Sequence, residues 1–364
     1  VNLRVVITAD DRTGALETAG LCADTGAGPL PVVVRGTDPA KWAEGLCVID
    51  IASRHLSPAD AEAVAADTCR SAARHLHKMD STLRGNWAAE ARAIGRARHE
   101  RVLVVPALPI LGRVCAGGIV SVDGVAVHEG PLAADPRSPV RSSRPADHLR
   151  LAGASDVDEL AGVDDIGRWL ADDDSSRPRG AVAVCDAVTD ADVRSIVSSW
   201  AQSDGVVLVG TSVVVAEAVQ ALRSGAQDAP VVAPSFVTPV LVVCGSLHPA
   251  ARAQVETLRR ARLEGVDVIA SEVPAPGSVV DEDAARTVAA LAMVASLSEA
   301  RTIVVLGGDT AAAVLGDRPV VVGGISMPGA PWMRLDDGRL VVTRAGGFGD
   351  PAALVRHIAD RIGS

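Results

Sequence analysis

Short runs of continuous apolar residues alternate along the chain with longer, Ala-rich stretches that carry helical spacing. The apolar runs are Leu3–Thr8, Val32–Val34, Leu46–Asp50, Arg101–Val105, Ala181–Cys185, Val206–Val209, Val240–Cys244 and Thr302–Leu306. Runs of this length without alternation predict strands buried on both faces, as in parallel sheets covered by helices. The helical stretches are Gly14–Ala23, Pro58–Leu76, Ala88–Arg98, Asp190–Trp200, Ser212–Arg223, Pro249–Glu264, Asp281–Leu297 and Thr310–Leu315. Strand–loop–helix alternation predicts an α/β fold of doubly wound type. Gly225–Pro239 interrupts the pattern with three prolines and little periodicity. It places a boundary between a first domain, 1–228, and a second, 229–364, and two domains suit a chain of 364 residues. Asp172–Gly180 reads as an exposed loop inside the first domain.

In the second half, three apolar runs lead into glycine. Val240–Cys244 runs into Gly245-Ser246 before a helix near Pro249; Thr302–Leu306 runs into Gly307-Gly308-Asp309-Thr310; Val341–Thr343 runs into Arg344-Ala345-Gly346-Gly347. Glycine lets a backbone approach a phosphate, and a helix N-terminus offers free N–H donors. Three such loops on one sheet edge could hold a nucleoside triphosphate. A doubly wound fold also needs glycine at strand–helix turns for purely structural reasons. No Walker A pattern and no GxGxxG occurs, which disfavours a P-loop kinase and a nicotinamide-dependent oxidoreductase.

The first half carries acids, hydroxyls and cations. Leu3–Thr8 ends in Ala9-Asp10-Asp11-Arg12-Thr13-Gly14, at the strand end where open α/β sheets bind ligands. Asp10 or Asp11 could take a proton from a hydroxyl or help to hold magnesium, while Asp11 or Thr13 could simply cap the following helix. His77-Lys78-Met79-Asp80-Ser81-Thr82-Leu83-Arg84-Gly85-Asn86 gathers further polar groups. There Lys78 and Arg84 could neutralise an anion, with Asp80, Ser81 and Asn86 reading its hydroxyls. Gly112-Arg113 follows the run Arg101–Val105, and Arg113 is either a carboxylate fork or a surface arginine. The two halves together suit phosphoryl transfer, which depends on positioning and charge neutralisation. A binding protein that has lost turnover is the competing reading, and the retained Asp10, Asp11, Lys78 and Asp80 disfavour it.

Composition narrows the partners. The chain has 35 basic and 45 acidic residues for a net charge of −10, which argues against a broad nucleic-acid face. Only Lys41 and Lys78 of the basic residues are lysines, so an arginine here need not signal function. Six scattered cysteines without a CxxC pair read as reduced thiols, and no protein metal cage is expected. No apolar run approaches the roughly 20 residues that span a bilayer, and no signal peptide is read, so a cytoplasmic protein without a membrane partner is expected.

At these motifs the chain resembles the four-carbon acid sugar kinase family, over nearly its whole length. The resemblance rests on ITADDRTGALETAG (7–20), KMDSTLRGN (78–86), PALPILGR (106–113), VDGVAVHE (122–129), DPRSPV (135–140), VCDAVTDADV (184–193), CGSLHPAARAQ (244–254), LGGDTAAAVL (306–315) and TRAGGFGDP (343–351). It implies two α/β domains, each a mainly parallel sheet flanked by helices, with the active site in the cleft between them. It also implies ATP-dependent phosphorylation of a threonate, erythronate or 3-oxo-tetronate, with Mg2+ arriving on the nucleotide, and self-association is open to such a chain. Asp10, Asp11 and Asp80 would be catalytic; Arg12, Thr13, Gly14, Lys78, Ser81, Arg84, Gly112 and Arg113 would bind the acid. Gly245, Ser246, Gly307, Gly308, Asp309, Thr310, Gly346 and Gly347 would bind ATP. The chain departs from the usual family pattern at Arg344 (commonly Lys), Glu17 (often Asp) and His248 (commonly a small hydroxyl residue).

Overall fold

A computed structural model describes residues 5–37, 45–71, 73–130, 133, 135, 138–172, 180–223, 231–272, 281–347 and 349–362. Lys41, most of Asp172–Gly180 and the first part of Gly225–Pro239 lie outside the described residues. The first elements are β1 (Val5–Ala9), α1 (Arg12–Cys22), β2 (Leu30–Val34), β3 (Leu46–Asp50), α2 (Pro58–Thr68), β4 (Arg74–Lys78), α3 (Trp87–Arg98) and β5 (Arg101–Val105). There follow β6 (Arg113–Ala116), β7 (Ile119–Val122), β8 (Val125–Ala126), α4 (Pro145–Leu151), β9 (Val157–Leu160), α5 (Val163–Ala171), β10 (Val182–Cys185), α6 (Asp190–Ala201), β11 (Val206–Gly210) and α7 (Ser212–Leu222). The remainder comprises β12 (Val240–Cys244), α8 (Pro249–Ala261), β13 (Val266–Ala270), α9 (Asp281–Leu297), β14 (Thr302–Leu306), α10 (Gly308–Leu315), β15 (Val320–Met327), β16 (Ala330–Arg334), β17 (Leu340–Arg344) and α11 (Ala353–Ala359).

The architecture is α/β, with a large mixed sheet flanked by helices. The chain forms two compact units: Val1–Thr18, Thr25–Ala27 and Val34–Asp228 make one; Ala19–Asp24, Gly28–Val33 and Ala229–Ser364 make the other. In the first unit the strands lie in the order β3-β1-β4-β11-β5-β10-β9, all parallel. Strands β1 and β11 are buried along their whole length, as continuous apolar runs require. A small antiparallel sheet, β6-β7-β8, follows Gly112.

In the second unit β13, β12, β14 and β17 are parallel, and β16, β15 and β2 continue antiparallel. Strand β2 joins this unit through its ladder to β15, in which Val32 faces Val320. The core packs Val240, Val242, Val304 and Val342 under Ala251, Val255 and Leu258 of α8 and Leu354 and Ile358 of α11. The i, i+4, i+7 spacing on α8 puts its three residues on one stripe.

The sequence expectation fails at one place that matters for the site. The helix expected over Pro58–Leu76 stops at Thr68, passes through a short 3-10 turn (Cys69–Ser71), and Arg74–Lys78 is a strand. Its residues RHLHK match no apolar strand pattern, because His75, His77 and Lys78 find polar partners inside the fold, although His75 Nδ1 has none among the described residues. The Thr8 hydroxyl lies 3.0 Å from His75 Nε2 and 2.8 Å from His77 Nδ1, and His77 Nε2 lies 3.0 Å from Glu90 Oε2. Strands β9 and β13 also escape the apolar pattern: they end the strand order and carry Asp158, Glu159 and Asp267. All six cysteines are buried.

Candidate active site

Register brings the first unit's polar groups to one edge. Ala9 of β1 pairs with Asp50 of β3 and with Lys78 of β4, so these three strands end level with one another. Asp10 follows directly and is fully buried. Its carbonyl accepts the backbone N–H groups of Ser53 and Arg54 (3.0 and 3.2 Å), and Asn86 donates its amide to the carbonyls of Ser53 and Leu56 (2.9 and 3.0 Å). The Asn86 amide nitrogen thereby pins the turn that carries Arg54.

Arg54, which sequence reasoning missed, is the hub of the cluster. Its Nε donates to Asp10 Oδ2 and its Nη1 to Asp11 Oδ2, both at 2.7 Å, while Nη2 stands 3.8 Å from Asp80 Oδ1. The Lys78 ammonium lies 3.3 Å from Asp10 Oδ1 and 3.6 Å from Asp11 Oδ1. Burial alone would raise the Asp10 carboxyl, but Arg54 and Lys78 outweigh it and bring it to about 2. Burial likewise pulls the Lys78 ammonium down, and Asp10 and Asp11 more than reverse the effect. Asp11 also caps α1 by accepting the Gly14 N–H at 2.9 Å, so the capping role and the cluster role coexist. Gly14 leaves room for the ammonium: a Cβ there would stand 2.3 Å from Lys78 Nζ, which would have to shift.

Asp80 sits in the turn after β4 and is bound on both oxygens. Arg84 Nη2 donates to Oδ1 at 2.9 Å; Arg84 Nε at 3.1 Å and the Thr82 N–H at 3.1 Å reach Oδ2, joined by the Thr82 hydroxyl. Burial opposes ionisation, yet Arg84 and Arg54 hold Asp80 well below the usual carboxylate range. Arg84 also approaches Asp135 at 3.6 Å. Arg113 Nη1 donates to the Ser81 hydroxyl. Gly112 serves the turn before it, with φ +65° and no room for a Cβ beside Asp123 Oδ1. The Thr13 hydroxyl is buried without a hydrogen-bond partner among the described residues. Buried Arg12 lies within electrostatic reach of Asp50, whose carboxyl burial raises to about 6 against the pull of the Ala52 N–H and Arg12. Glu17, on α1, is raised by burial, with Lys78 and Arg113 offsetting only part of it.

The second unit has its own edge. Cys244, Leu306 and Arg344 are level across β12, β14 and β17, so the three glycine turns leave from adjacent parallel strands. They converge on Ser246. A Cβ on Gly346 would stand 2.0 Å from Ser246 Oγ, and one on Gly307 would stand 3.2 Å from Ser246 Cβ. Gly307 has φ +111° and opens α10, whose first turn carries Gly308, Asp309 and buried Thr310. A Cβ on Gly245 would stand 2.2 Å from Thr310 Oγ1, while Gly347 faces His248 at 3.5 Å. The three turns thus pack closely together, and one of them ends in a helix N-terminus. His248 caps α8 by accepting the Ala250 N–H at 3.2 Å, a role a small hydroxyl residue fills equally well. Arg344 is buried and donates to Gln254 Oε1 at 2.6 Å. Among the described residues, no three His, Cys, Asp or Glu side chains gather into a metal site, and no helix is long and apolar enough to cross a membrane.

Comparison with known proteins bears on both edges. A family model described as a sugar-binding N-terminal domain matches residues 5–218. A D-threonate kinase of Salmonella typhimurium is 31% identical over 286 residues, 74% of this chain, and the chain spans 64% of that kinase's length. A D-threonate kinase of Bordetella bronchiseptica is 29% identical over 413 residues, covering 96% of this chain and 95% of the kinase. A Bordetella bronchiseptica protein described as a domain of unknown function was solved with bound citrate as a domain-swapped dimer. It is 27% identical, covers 100% of both chains and superposes with a TM-score of 0.52.

Proposed function

The chain belongs to the four-carbon acid sugar kinase family, and from that premise we propose that it transfers the γ-phosphoryl group of ATP to a hydroxyl of a small sugar acid. Threonate, erythronate and 3-oxo-tetronate are the acceptors of first choice. The observation that carries the reading is that one chain has two built edges of complementary chemistry. The first gathers cations and carboxylates around Arg54 and Lys78; the second packs three glycine turns around Ser246.

Residues 1–228 are proposed as the sugar-acid-binding domain and 229–364 as the nucleotide-binding domain, each a mainly parallel sheet flanked by helices. Lys78, Arg84 and Arg113 would neutralise the acid, with Ser81, Arg12, Thr13 and the backbone at Gly14 and Gly112 shaping its site. Asp10, Asp11 and Asp80 would hold Arg54, Lys78 and Arg84 in place, a positioning role that their ion pairs support. Gly245, Ser246, Gly307, Gly308, Asp309, Thr310, Gly346 and Gly347 would cradle the triphosphate, and Mg2+ would arrive bridging its phosphates. Transfer of this kind depends on aligning acceptor and donor and on offsetting charge in the transition state. The bound citrate of the Bordetella relative is itself a small hydroxy-acid anion, and its swapped dimer supports self-association here.

The test is ADP release from MgATP by purified protein, with four-carbon sugar acids supplied one at a time. Release that depends on one acid is the expected result and names the acceptor. ATP binding without release on any acid would move the search to other hydroxy-acids, and no ATP binding would overturn the kinase reading.

A further inference from the structure

In the proposed reaction the acceptor oxygen bonds to the γ-phosphorus as the bond from that phosphorus to the ADP oxygen breaks, and the hydroxyl proton must leave. A general base does this best when it has a free lone pair at the working pH. In all three aspartates both oxygens are already engaged by a cation or an N–H group, which makes them weaker proton acceptors. Asp10 meets Arg54 on Oδ2 and Lys78 on Oδ1; Asp11 meets Arg54 on Oδ2 and the Gly14 N–H on Oδ1; Asp80 meets Arg84 on both oxygens.

Glu17 is placed differently. It follows Gly14 by three residues on α1, and side chains three apart share a helix face. That face looks onto Lys78, whose Nζ lies 2.3 Å from the Cβ position of Gly14. The charged groups that act on the Glu17 carboxyl are Lys78 from β4, Arg113 from β6, Asp11 at the start of α1 and Asp80 from the turn after β4. These are the groups that surround the acid in the proposed site, yet among the described residues the Glu17 carboxylate has no hydrogen bond or ion pair of its own.

Resting on the kinase reading, we propose that Glu17 is the general base that takes the proton from the acceptor hydroxyl. Lys78 and Arg113 draw the acid's carboxylate in beside it. The hydroxyl proton passes to a Glu17 oxygen as the O–P bond forms; ADP departs, and the proton then returns to water. Burial raises this carboxyl above the ordinary glutamate range, and Lys78 and Arg113 pull it back the other way.

The experiment compares wild type, Glu17→Gln and Glu17→Asp with MgATP and the acid that wild type accepts. Glu17→Gln is expected to lower kcat by about 10²–10⁴-fold with acceptor KM within a few fold. Wild-type kcat should rise with pH through the Glu17 titration, a limb that Glu17→Gln abolishes and Glu17→Asp restores at reduced rate. Carbon-13 NMR of glutamate carboxyls, with the Glu17 signal identified by its loss in Glu17→Gln, reads the titration without turnover and should place it above the ordinary glutamate range. Wild-type activity with a Glu17→Gln rate within threefold, or a Glu17 titration in the ordinary range, would overturn the assignment alone. A wild type that releases no ADP with any hydroxy-acid would overturn the kinase reading and the base with it.

Discussion

Replacing Asp50 with Asn tests the electrostatics of the first edge with little change of shape. Asp50 is 5% exposed at the end of β3, and its Oδ1 accepts the Ala52 N–H at 2.9 Å, across a turn in which Ala52 has φ +49°. Asparagine keeps an oxygen for that bond and removes only the charge. Burial raises the folded carboxyl from 3.8 to about 6. Below pH 3.8 the group is protonated in both states and contributes nothing; stability then falls as pH rises toward 6, and the cost is constant above it. About two pH units at about 1.4 kcal/mol each make that cost roughly 3 kcal/mol. Urea denaturation between pH 4 and 8, followed by fluorescence of the buried Trp87 and Trp200, is the assay. The stability of Asp50→Asn relative to wild type should climb by about 3 kcal/mol between pH 4 and 7, then level off. The opposite contribution of Asp10, lost as pH falls from 3.8 to about 2, lies outside this window. A difference that stays flat with pH would refute the burial argument.

Other consequences are as direct. Arg54→Met removes the shorter ion pairs of Asp10 and Asp11 and leaves both to Lys78; unfolding free energy at pH 7 should fall by about 3 kcal/mol, read by urea denaturation. Gly14→Ala drives a methyl into Lys78 Nζ, so steady-state kinetics should show the acceptor KM raised about tenfold, the loss of roughly one charge-assisted hydrogen bond, with the ATP KM unchanged. Gly346→Ala collides with Ser246 Oγ; calorimetry should find ATP binding lost while the thermal melt keeps its cooperativity.

The charged cluster at the first edge was largely legible, residue by residue, because loops after apolar strands advertise themselves. Asp10, Asp11, Lys78, Asp80 and Arg84 were named from such positions, and the structure gathers them within one ion-pair cluster. Arg54 was not, although it follows the end of β3 by four residues; in a chain where nearly every basic residue is arginine, one more gives no signal. Strand β4 hid for a related reason. His75, His77 and Lys78 are polar in sequence, and only their partners Thr8, Glu90 and Asp10 make them interior residues.

Local pattern therefore determined the α/β class, about half of the strands, most of the helices, and the glycine turns, since these depend on neighbours within a few residues. It also determined which loops carry charge. Tertiary structure alone decided which charges meet. It placed Arg54 between three aspartates, gave Leu30–Val32 a partner in β15, and left Glu17 near Lys78 and Arg113 without, among the described residues, a hydrogen bond or ion pair of its own. Such pairings join residues tens to hundreds of positions apart, and they hold because the low-dielectric interior strengthens an ion pair and penalises a charge left alone.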